Sequence, residues 1–398
     1  MLLRFWELRM NSKNIVPVFV PHCGCPHDCA FCNQKKITQQ NAPLDSSGIR
    51  KSIENYLHYF KSRKERQIAF YGGSFTGIPK KEMIEYLKIG NEFIEKGEVD
   101  SLRLSTRPDY INEEILGILK SFNVKTIELG VQSMDDAVLS LNRRGHTAMD
   151  VVKAAKMIRD NSFELGLQMM IGLYGDSLKS AFFSAENIAD LKPDFVRIYP
   201  TLTLADTYLE ELYHRGVYTP LKLEEAVFVL KKILPVFYRK KIPVIRVGLQ
   251  PSEEIAENKS VIAGPFHPSI RMLAEEVYYS FLEEKLRHIK NIDHLIISAP
   301  HEILNYFIGL NKRNKNRLIE KYKIKTIGFR GEKRKDIEII INKKSSIRFM
   351  KEDIFNAFSW MLHDGIIDIK FPIPTNKLEN GIFHTKFGIF HNGKDAVS

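Results

Sequence analysis

Short apolar runs alternate with amphipathic stretches along the chain from Ile15 to about Gln250. The stretches between the runs have the apolar spacing of helices, as in SSGIRKSIENYLHYFKS, where Ser46 or Ser47 is the predicted N-cap, and in LEEAVFVLKKILPVFYRK. The runs are almost continuously apolar, which is typical of parallel strands covered on both faces. The predicted strands are IVPVFVP (15–21), QIAFYGG (67–73), SLRLSTR (101–107), TIELGVQS (126–133), LGLQMMIG (165–172), FVRIYPTL (195–202) and VIRVGLQ (244–250).

Strands that alternate with helices indicate βαβ units. Six or seven such units predict an α/β fold, namely a partial or full (β/α) TIM-type barrel with a small α+β C-terminal module. A doubly wound open sheet is the alternative, and in both folds chemistry takes place at the carboxyl ends of the strands. HCGCPHDCAFC, GGSFTG and TRPD directly follow the first three strands. The sequence therefore predicts a functional site at that edge of the sheet.

Changes in composition divide the chain into four predicted segments. Residues 1–13 are an N-terminal extension, 14–250 form the barrel, 251–345 form a helical linker and a basic α+β module, and 346–398 form a C-terminal segment. Within the third segment we predict a helix over about 271–290, a strand HLIISAP, a Gly-containing helix FIGLNKRNKNRLIEKY and further strands in KTIGF and DIEIIIN.

Positive charge is concentrated in one part of the 398-residue chain, whose net charge is +11. Residues 301–350 carry 14 Lys and Arg against 5 Asp and Glu, whereas the first 300 residues carry a net charge of only +3. A basic region attracts polyanions, so RNA is the partner that this charge favours, and a solvated face without a partner is the open alternative. No run of 18 apolar residues is present, so we expect no transmembrane helix and no membrane partner. The N-terminal stretch MLLRFWELRMNSKN has Arg4 and no long apolar run before a small-residue cleavage site, so we expect no secretory signal.

All four cysteines lie within ten residues, from Cys23 to Cys32. A disulfide framework would be spread over the fold, so we expect reduced cysteines and a cytoplasmic location. Cys25, Cys29 and Cys32 have the spacing C-x3-C-x2-C, and thiolates bind zinc, copper(I) and iron–sulfur clusters.

Two kinds of metal site remain open on counting alone. A closed zinc site needs four ligands, for which Cys23, His22 or His27 could supply the fourth. Three thiolates on one short loop instead suit a cubane whose fourth iron is left open to bind a small molecule.

The cysteine spacing, with Phe31 before the last Cys and a strand before the loop, resembles the signature of radical S-adenosylmethionine (SAM) enzymes. The resemblance implies a [4Fe–4S] cluster held by Cys25, Cys29 and Cys32, with SAM bound to the open iron. One electron from the cluster would cleave SAM to methionine and a 5′-deoxyadenosyl radical that abstracts hydrogen from a substrate. Cys23 lies outside this pattern and is interpreted as a bystander thiol.

The resemblance also assigns residues to SAM. Gly72, Gly73 and Ser74 in YGGSFTG match the motif that receives the SAM amino group, although the usual acidic residue is absent. Gln132 and Ser133 in GVQS fall where the superfamily contacts the SAM ribose.

Further candidates follow along the chain. Arg107 and Asp109 in TRPD are candidate SAM or substrate residues, with a buried ion pair as their structural alternative. Gly172 lies near the expected adenine contact, where Tyr174 replaces the usual Pro. His146 in NRRGHT is interpreted either as a polar site residue or, more simply, as a surface helix cap.

The order of these motifs resembles the radical SAM subunit of Elongator and its bacterial and archaeal relatives over about residues 14–250. Those enzymes carry an acetyltransferase domain and an extra zinc-binding cysteine set, neither of which is visible in this sequence. The resemblance implies a tRNA substrate and a one-electron donor such as flavodoxin or ferredoxin. The alternatives are a radical SAM enzyme acting on a small metabolite or tetrapyrrole, and a zinc-stabilised RNA-binding protein.

Two weaker resemblances lie nearer the C-terminus. FIGLNKRNKNRL (307–318) is similar to the Gly-loop and helix of a KH RNA-binding domain, without a proper GxxG. GIFHTKFGIF (381–390) resembles the first half of a phospholipase D-like motif, with His384 as nucleophile and Lys386 as phosphate ligand. That family needs two such motifs, so we expect this segment to be inactive; a β-hairpin is the alternative.

Overall fold

The structure, a computed structural model, describes residues 14–20, 29–33, 45–60, 65–249, 260–274 and 277–357, and the short strands 384–385 and 388–389. The first unit, up to residue 249, alternates strands and helices as the sequence predicts. Its strands are β1 (Asn14–Val20), β2 (Arg66–Gly72), β3 (Ser101–Thr106), β4 (Val124–Gln132), β5 (Glu164–Ile171), β6 (Phe195–Pro200), β7 (Thr203–Leu204) and β8 (Val244–Val247). Its helices are α1 (Ser46–Tyr59), α2 (Lys80–Glu95), α3 (Glu113–Ser121), α4 (Asp136–Leu141), α5 (Ala148–Asp160), α6 (Leu178–Asp190), α7 (Tyr208–His214) and α8 (Leu223–Arg239).

Seven of these strands form one parallel sheet in the order β1-β2-β3-β4-β5-β6-β8. Each strand is added beside the preceding one, whereas a doubly wound sheet reverses its order at a switch point. β1 and β8 are the two edges of the sheet and do not pair with each other. The fold is therefore the partial TIM-type barrel that the sequence predicts, and all strand ends meet at one carboxyl edge.

The two faces of this sheet differ in polarity. The outer face is apolar and packs against the helices: Val16, Val18 and Val20 of β1 are almost fully buried, and Leu102 of β3 packs against Gly90 of α2. The concave face carries polar residues at alternate positions. The prediction of strands that are apolar on both faces is thus wrong for this face. The polar residues are Gln67, Arg103, Glu128, Gln168 and Arg197.

Local capping differs from the sequence prediction at the first helix. Asp45, rather than Ser46 or Ser47, is the N-cap of α1, because its Oδ1 accepts a hydrogen bond from the backbone N–H of Gly48 at 2.8 Å. A carboxylate satisfies a free N–H of the first turn and also interacts favourably with the helix dipole. Ile49 and Ile53 of α1 are buried.

A second core lies in residues 277–357, which we call the small unit. After β9 (Val261–Ala263), which pairs with β7, come α9 (Ile270–Ala274) and α10 (Val277–Leu286). The small unit then continues with β10 (His294–Pro300), α11 (His301–Ile308), α12 (Arg313–Tyr322), β11 (Thr326–Glu332), β12 (Asp336–Ile341), β13 (Ser345–Met350) and α13 (Lys351–Ala357). Its four-stranded sheet has the order β11-β10-β12-β13.

Two sequence predictions for the small unit need correction. The predicted helix 307–322 is interrupted at Gly309, whose φ of 77° is unfavourable for other residues, so α11 and α12 are separate helices. A segment boundary at 345/346 would also cut the sheet, because β13 pairs with β12 from Ser345 to Met350. We therefore propose that the boundary lies after α13.

The remaining sequence predictions concern the C-terminal residues and membrane-spanning helices. His384–Thr385 and Gly388–Ile389 form a short antiparallel pair, whereas Lys386 lies outside the described residues. No helix in the described part of the chain is both long enough and apolar enough to cross a bilayer.

Candidate functional site

The segment that carries Cys29 and Cys32 is anchored at the carboxyl edge of the sheet. The backbone N–H of Cys32 donates to the carbonyl oxygen of Cys29 at 3.0 Å, so both cysteines lie on one tight turn. Between them, Ala30 donates to the carbonyl of Asn142 at 3.1 Å and accepts from the N–H of Leu209 at 2.7 Å. Neither thiol is in a disulfide, and Cys29 is buried. Cys25, His22, His27 and Cys23 lie outside the described residues, as part of 21–28.

Arg144 links this turn to the end of β4. Its Nη1 donates to the Sγ of Cys29 at 3.2 Å, and its Nη2 donates to the carbonyl oxygen of Gly130 at 2.6 Å. Its side chain is 5% exposed, so the positive charge is held next to the thiol with little access to solvent. Sequence reasoning missed Arg144 and selected His146 from the same motif. The signal available was the second Arg of NRRGHT, in the loop between α4 and α5.

His146 is a buried residue, so its interpretation as a surface helix cap is wrong. One ring nitrogen, Nε2, lies 3.2 Å from the carbonyl oxygen of Val131. Burial, reinforced by the charges of Arg144 and Arg107, lowers the pKa of His146 to about 4. The imidazole is therefore neutral at pH 7, and it contacts the end of β4 through Val131.

Arg144→Met is expected to weaken iron binding, because Arg144 orients the Cys29 thiol. The variant removes both hydrogen bonds of the guanidinium and leaves the Gly130 carbonyl without this donor. Residues that orient metal ligands typically contribute about 10–100-fold to metal affinity, so iron retention under a chelator challenge should fall by that factor. The matched control is Arg143→Met, because Arg143 instead stacks 3.4 Å from the centre of the Tyr208 ring. Equal iron loss in both variants would contradict a specific role for Arg144.

Gly72 and Gly73 bring the end of β2 into backbone contact with the end of β1. Gly72 has φ 109°, and a Cβ there would lie 2.4 Å from the carbonyl oxygen of Val20. Gly73 donates its N–H to the same oxygen at 3.3 Å, and Ser74 is buried. The backbone contact with β1 thus accounts for Gly72 without a ligand, and a role of Gly72, Gly73 and Ser74 in SAM binding remains a prediction.

Gly72→Ala is expected to destabilise this corner of the barrel. The new methyl group would collide with the end of β1 and would hold alanine in the left-handed region, which typically costs about 1–3 kcal/mol in unfolding free energy. Chemical denaturation of the metal-free protein measures the loss. Gly117→Ala is the control, because that glycine lies in α3 with no heavy atom within 4 Å of its added Cβ. There the substitution should be neutral or stabilising by about 0.5–1 kcal/mol.

Arg107 forms the ion pair that the sequence left open as its alternative. Its Nε and Nη2 donate to the two carboxylate oxygens of Asp109 at 3.0 and 2.8 Å. The guanidinium also lies 5.6 Å from the centre of the Tyr110 ring. Asp109 therefore occupies one edge of the guanidinium, and a SAM contact by Arg107 remains a prediction.

Gln132 and Ser133 behave differently although they are neighbours. The Oε1 of Gln132 is buried and has no hydrogen-bond partner among the described residues, and its backbone has φ 68° at the irregular end of β4. Ser133 Oγ instead lies 3.1 Å from Ser184 Oγ and accepts from the N–H of Asp135. An unpaired buried acceptor is unfavourable, so Gln132 is suited to a ligand that brings a donor.

Gly172 sits in a buried polar cluster. Its N–H donates to Asp176 at 2.9 Å, and its carbonyl accepts from the Tyr218 hydroxyl at 2.8 Å. Burial raises the pKa of Asp176 to about 6, although its hydrogen bonds to Ser180, Gly172 and Ser177 oppose that shift. The φ of 75° and the close approach of Leu221 explain the glycine. An adenine contact at Gly172 remains a prediction.

A charged cluster lies below these groups on the concave face. Glu128 is fully buried, with Arg103 Nη2 at 2.5 Å and Arg197 Nε at 2.7 Å from its two carboxylate oxygens. Tyr71 and Gln168 also donate to it. Burial would raise the pKa of Glu128, but Arg197 and Arg103 outweigh this effect and lower it to about 2. Sequence reasoning missed this cluster, whose signal was a charged residue in the interior of each of three predicted strands.

The residues present fit an iron–sulfur cluster with a small polar ligand beside it. Cys29 and Cys32 supply two unbonded thiols on one turn, and Arg144 complements the charge of a thiolate at Cys29. Within the described residues no three His, Cys, Asp or Glu side chains converge as a complete metal site. The third predicted ligand, Cys25, lies outside those residues.

Parts of this chain are similar in sequence to known proteins. A tRNA uridine(34) acetyltransferase of Methanocaldococcus jannaschii is 33% identical over 172 residues, which are 42% of this chain and 31% of that protein. The heme chaperone HemW of Bacillus subtilis is 24% identical over 51% of this chain and 55% of that protein. The chain thus spans less than two thirds of the length of either relative.

A solved structure shares the fold. The archaeal Elp3 of Methanocaldococcus infernus, with an N-terminal deletion, superposes with a TM-score of 0.54 and 21% identity over 71% of this chain and 66% of that chain. Two family models match in succession: the radical SAM superfamily over residues 19–181 and the Radical_SAM C-terminal domain over residues 193–279. Neither model reaches residues 381–390, whose resemblance to a phospholipase D-like motif stays a prediction. With these two domains and Elongator-type relatives, the chain belongs to the radical SAM superfamily.

Proposed function

We propose that this protein is a radical SAM enzyme of the Elongator-like type that acts on tRNA. The observation that carries the proposal is the meeting of Cys29, Arg144 and Gln132 at the carboxyl edge of the barrel. Arg144 donates to Cys29 and to Gly130, and a Cβ added at Gly130 would lie 3.1 Å from Nε2 of Gln132 and 3.3 Å from Nη2 of Arg144. The relative named tRNA uridine(34) acetyltransferase supports a tRNA substrate. The acetyltransfer in that name is not part of the proposal, since the match covers 31% of that relative.

Each group has a defined task in the proposed enzyme. Cys25, Cys29 and Cys32 would hold three irons of a [4Fe–4S] cluster, and Arg144 orients Cys29. Gln132 Oε1 would accept from a ribose hydroxyl of SAM, while the Gly72–Gly73 corner and Ser74 would receive its amino group. When bound, the cluster and SAM supply the one-electron chemistry that cleaves the SAM sulfonium bond. The buried Arg103–Glu128–Arg197 cluster keeps the floor of the concave face rigid. The electron would come from a donor such as flavodoxin or ferredoxin.

Anaerobic reconstitution with iron and sulfide tests the proposal. We expect a brown protein with thiolate-to-iron absorption at about 400 nm, as for other thiolate-bound clusters. With dithionite and SAM it should then release 5′-deoxyadenosine, and unmodified tRNA should change that rate. A colourless protein that binds one zinc would support the zinc-stabilised RNA-binding alternative. A brown protein without 5′-deoxyadenosine release would contradict radical chemistry.

The similarity to HemW supports a second candidate, in which the substrate or cargo is a tetrapyrrole. Heme titration distinguishes the two candidates. Stoichiometric heme binding, measured as the pyridine hemochrome so that cluster absorption does not interfere, would favour the tetrapyrrole. Stoichiometric tRNA binding without heme binding would favour RNA.

A further inference from the structure

A strong excess of Lys and Arg over Asp and Glu lies on and around α12. Residues 312–325 contain seven Lys and Arg and one acidic residue, Glu320. The small unit that carries them continues beyond the last residue matched by either family model, residue 279. The radical SAM site therefore does not account for this charge.

Acidic neighbours compensate this charge at one end of the helix. Lys321 pairs with Glu283 at 2.5 Å, and Lys325 pairs with Asp293 at 3.0 Å. Lys312, Lys315 and Lys323 make no ion pair with any residue that the structure describes. Lys315 lies in the first turn of α12, and Lys312 and Lys323 flank the helix at its N-cap and C-cap positions. We call Lys312, Lys315 and Lys323 the α12 basic face.

The turn before α12 holds this face in a fixed position. Asn311 and Lys312 have φ of 51° and 62°, and a Cβ on Gly309 would lie 2.6 Å from the side chain of Asn314. Asn314 is buried and donates to the carbonyl of Tyr306 at 2.9 Å, which fastens α12 to α11. Because the backbone is already fixed, binding a partner would order only the lysine side chains and not the segment that carries them.

The α12 basic face fits RNA better than a membrane. Helices that bind membrane surfaces carry large apolar side chains beside their basic ones. Among the described residues of the small unit, Met350 on β13 is the one large apolar side chain that is exposed, and it lies on another element.

We infer that the α12 basic face of the small unit binds the phosphate backbone of the RNA whose modification takes place in the barrel. This inference rests on the proposed function for its choice of polyanion. The face would position the RNA by charge and contribute no base specificity, because contacts to phosphates do not read sequence. Base selection would then belong to the barrel.

Charge reversal on the full-length chain tests the inference. The test variant is Lys312→Glu/Lys315→Glu/Lys323→Glu. Its binding to a fluorescent, unmodified tRNA transcript is measured by anisotropy between 50 and 200 mM salt and compared with that of the wild type. We expect about tenfold weaker binding or more, and a salt slope reduced by about 2, because each lost phosphate contact lowers the slope by about 0.7–1. The matched control is Lys333→Glu/Lys343→Glu/Lys344→Glu, which makes the same net charge change on exposed turns of the same unit. Equal denaturation midpoints for both variants show that each is folded.

Three results would overturn the inference: equal weakening in both variants, no tRNA binding by the wild type, or displacement of tRNA by polyglutamate at equal charge concentration. The last result would indicate an acidic protein partner. Release of 5′-deoxyadenosine without RNA, assayed on the same preparations, separates the two proposals. Normal release with tRNA binding that weakens equally in both variants defeats only this inference. Normal release with no tRNA binding by the wild type defeats this inference and the tRNA substrate but leaves the radical chemistry intact, whereas tRNA binding with no release defeats only the proposed radical chemistry.

Discussion

Cys29→Ser is expected to reduce 5′-deoxyadenosine release to the rate of a protein-free reaction. Serine replaces a soft thiolate with a harder oxygen donor, and a site with three ligands has none to spare. In this variant the reconstituted protein should also lose most of its absorption at about 400 nm, which arises from thiolate ligation. Both readouts are measured anaerobically after the same reconstitution as for the wild type.

Cys23→Ser provides the matched control for this prediction. Cys23 is two residues from Cys25 but lies outside the C-x3-C-x2-C spacing. The control should keep its colour, its iron content and its 5′-deoxyadenosine release. A result in which Cys29→Ser keeps full activity while Cys23→Ser loses it would reassign the ligands and refute the spacing argument.

Glu128→Gln is expected to lower the unfolding free energy of the metal-free protein by about 3–5 kcal/mol, the usual range when one partner of a buried ion pair is removed. The substitution leaves two buried guanidinium groups, those of Arg103 and Arg197, without their anion. Urea denaturation measures the loss. Glu164→Gln on the neighbouring strand is the control, because Glu164 pairs with Lys125 at a partly exposed position and should contribute less than about 1 kcal/mol.

The loss of stability caused by Glu128→Gln is expected to depend on pH. The pKa of Glu128 falls from 4.5 to about 2 on folding, so the unfolded state binds the proton more readily than the native state does. The stabilisation by Glu128 is therefore complete above the unfolded pKa and is lost as the pH falls towards 2. The difference in stability between wild type and Glu128→Gln should be largest near neutral pH and should shrink on acidification. A difference that grows on acidification would show that the carboxyl is protonated in the native protein.

Hydrophobic periodicity predicted the barrel because it depends on neighbours in sequence. The βα alternation and the placement of YGGSFTG and GVQS at strand ends follow directly from that pattern. Arg144 and Cys29 are 115 residues apart and meet only through the sheet, so no local pattern connects them. The contacts among Arg103, Glu128 and Arg197 likewise become apparent only once β3, β4 and β6 are placed in one sheet.

Some sequence predictions were wrong because the local pattern was compatible with more than one structure. In the small unit, the apolar spacing of FIGLNKRNKNRLIEKY continues across Gly309, but the left-handed backbone there separates α11 from α12. At the first helix, Asp45, Ser46 and Ser47 are all good caps, and the backbone path rather than the residue type selects Asp45. The segment boundary at 345/346 was misplaced because the pairing of β13 with β12 is a tertiary contact.

The two hydrogen bonds of Ala30 have a consequence for local opening of the molecule. They tie the cysteine turn to Asn142, beyond β4, and to Leu209, at the start of α7, whereas the chain enters this region from the edge strand β1. Peeling β1 away from β2 exposes the amide of Gly73 to solvent, while release of the turn exposes the amides of Ala30 and Leu209. These are separate subglobal openings, each with its own free energy. Hydrogen exchange can therefore follow the metal-binding turn independently of the barrel that carries it.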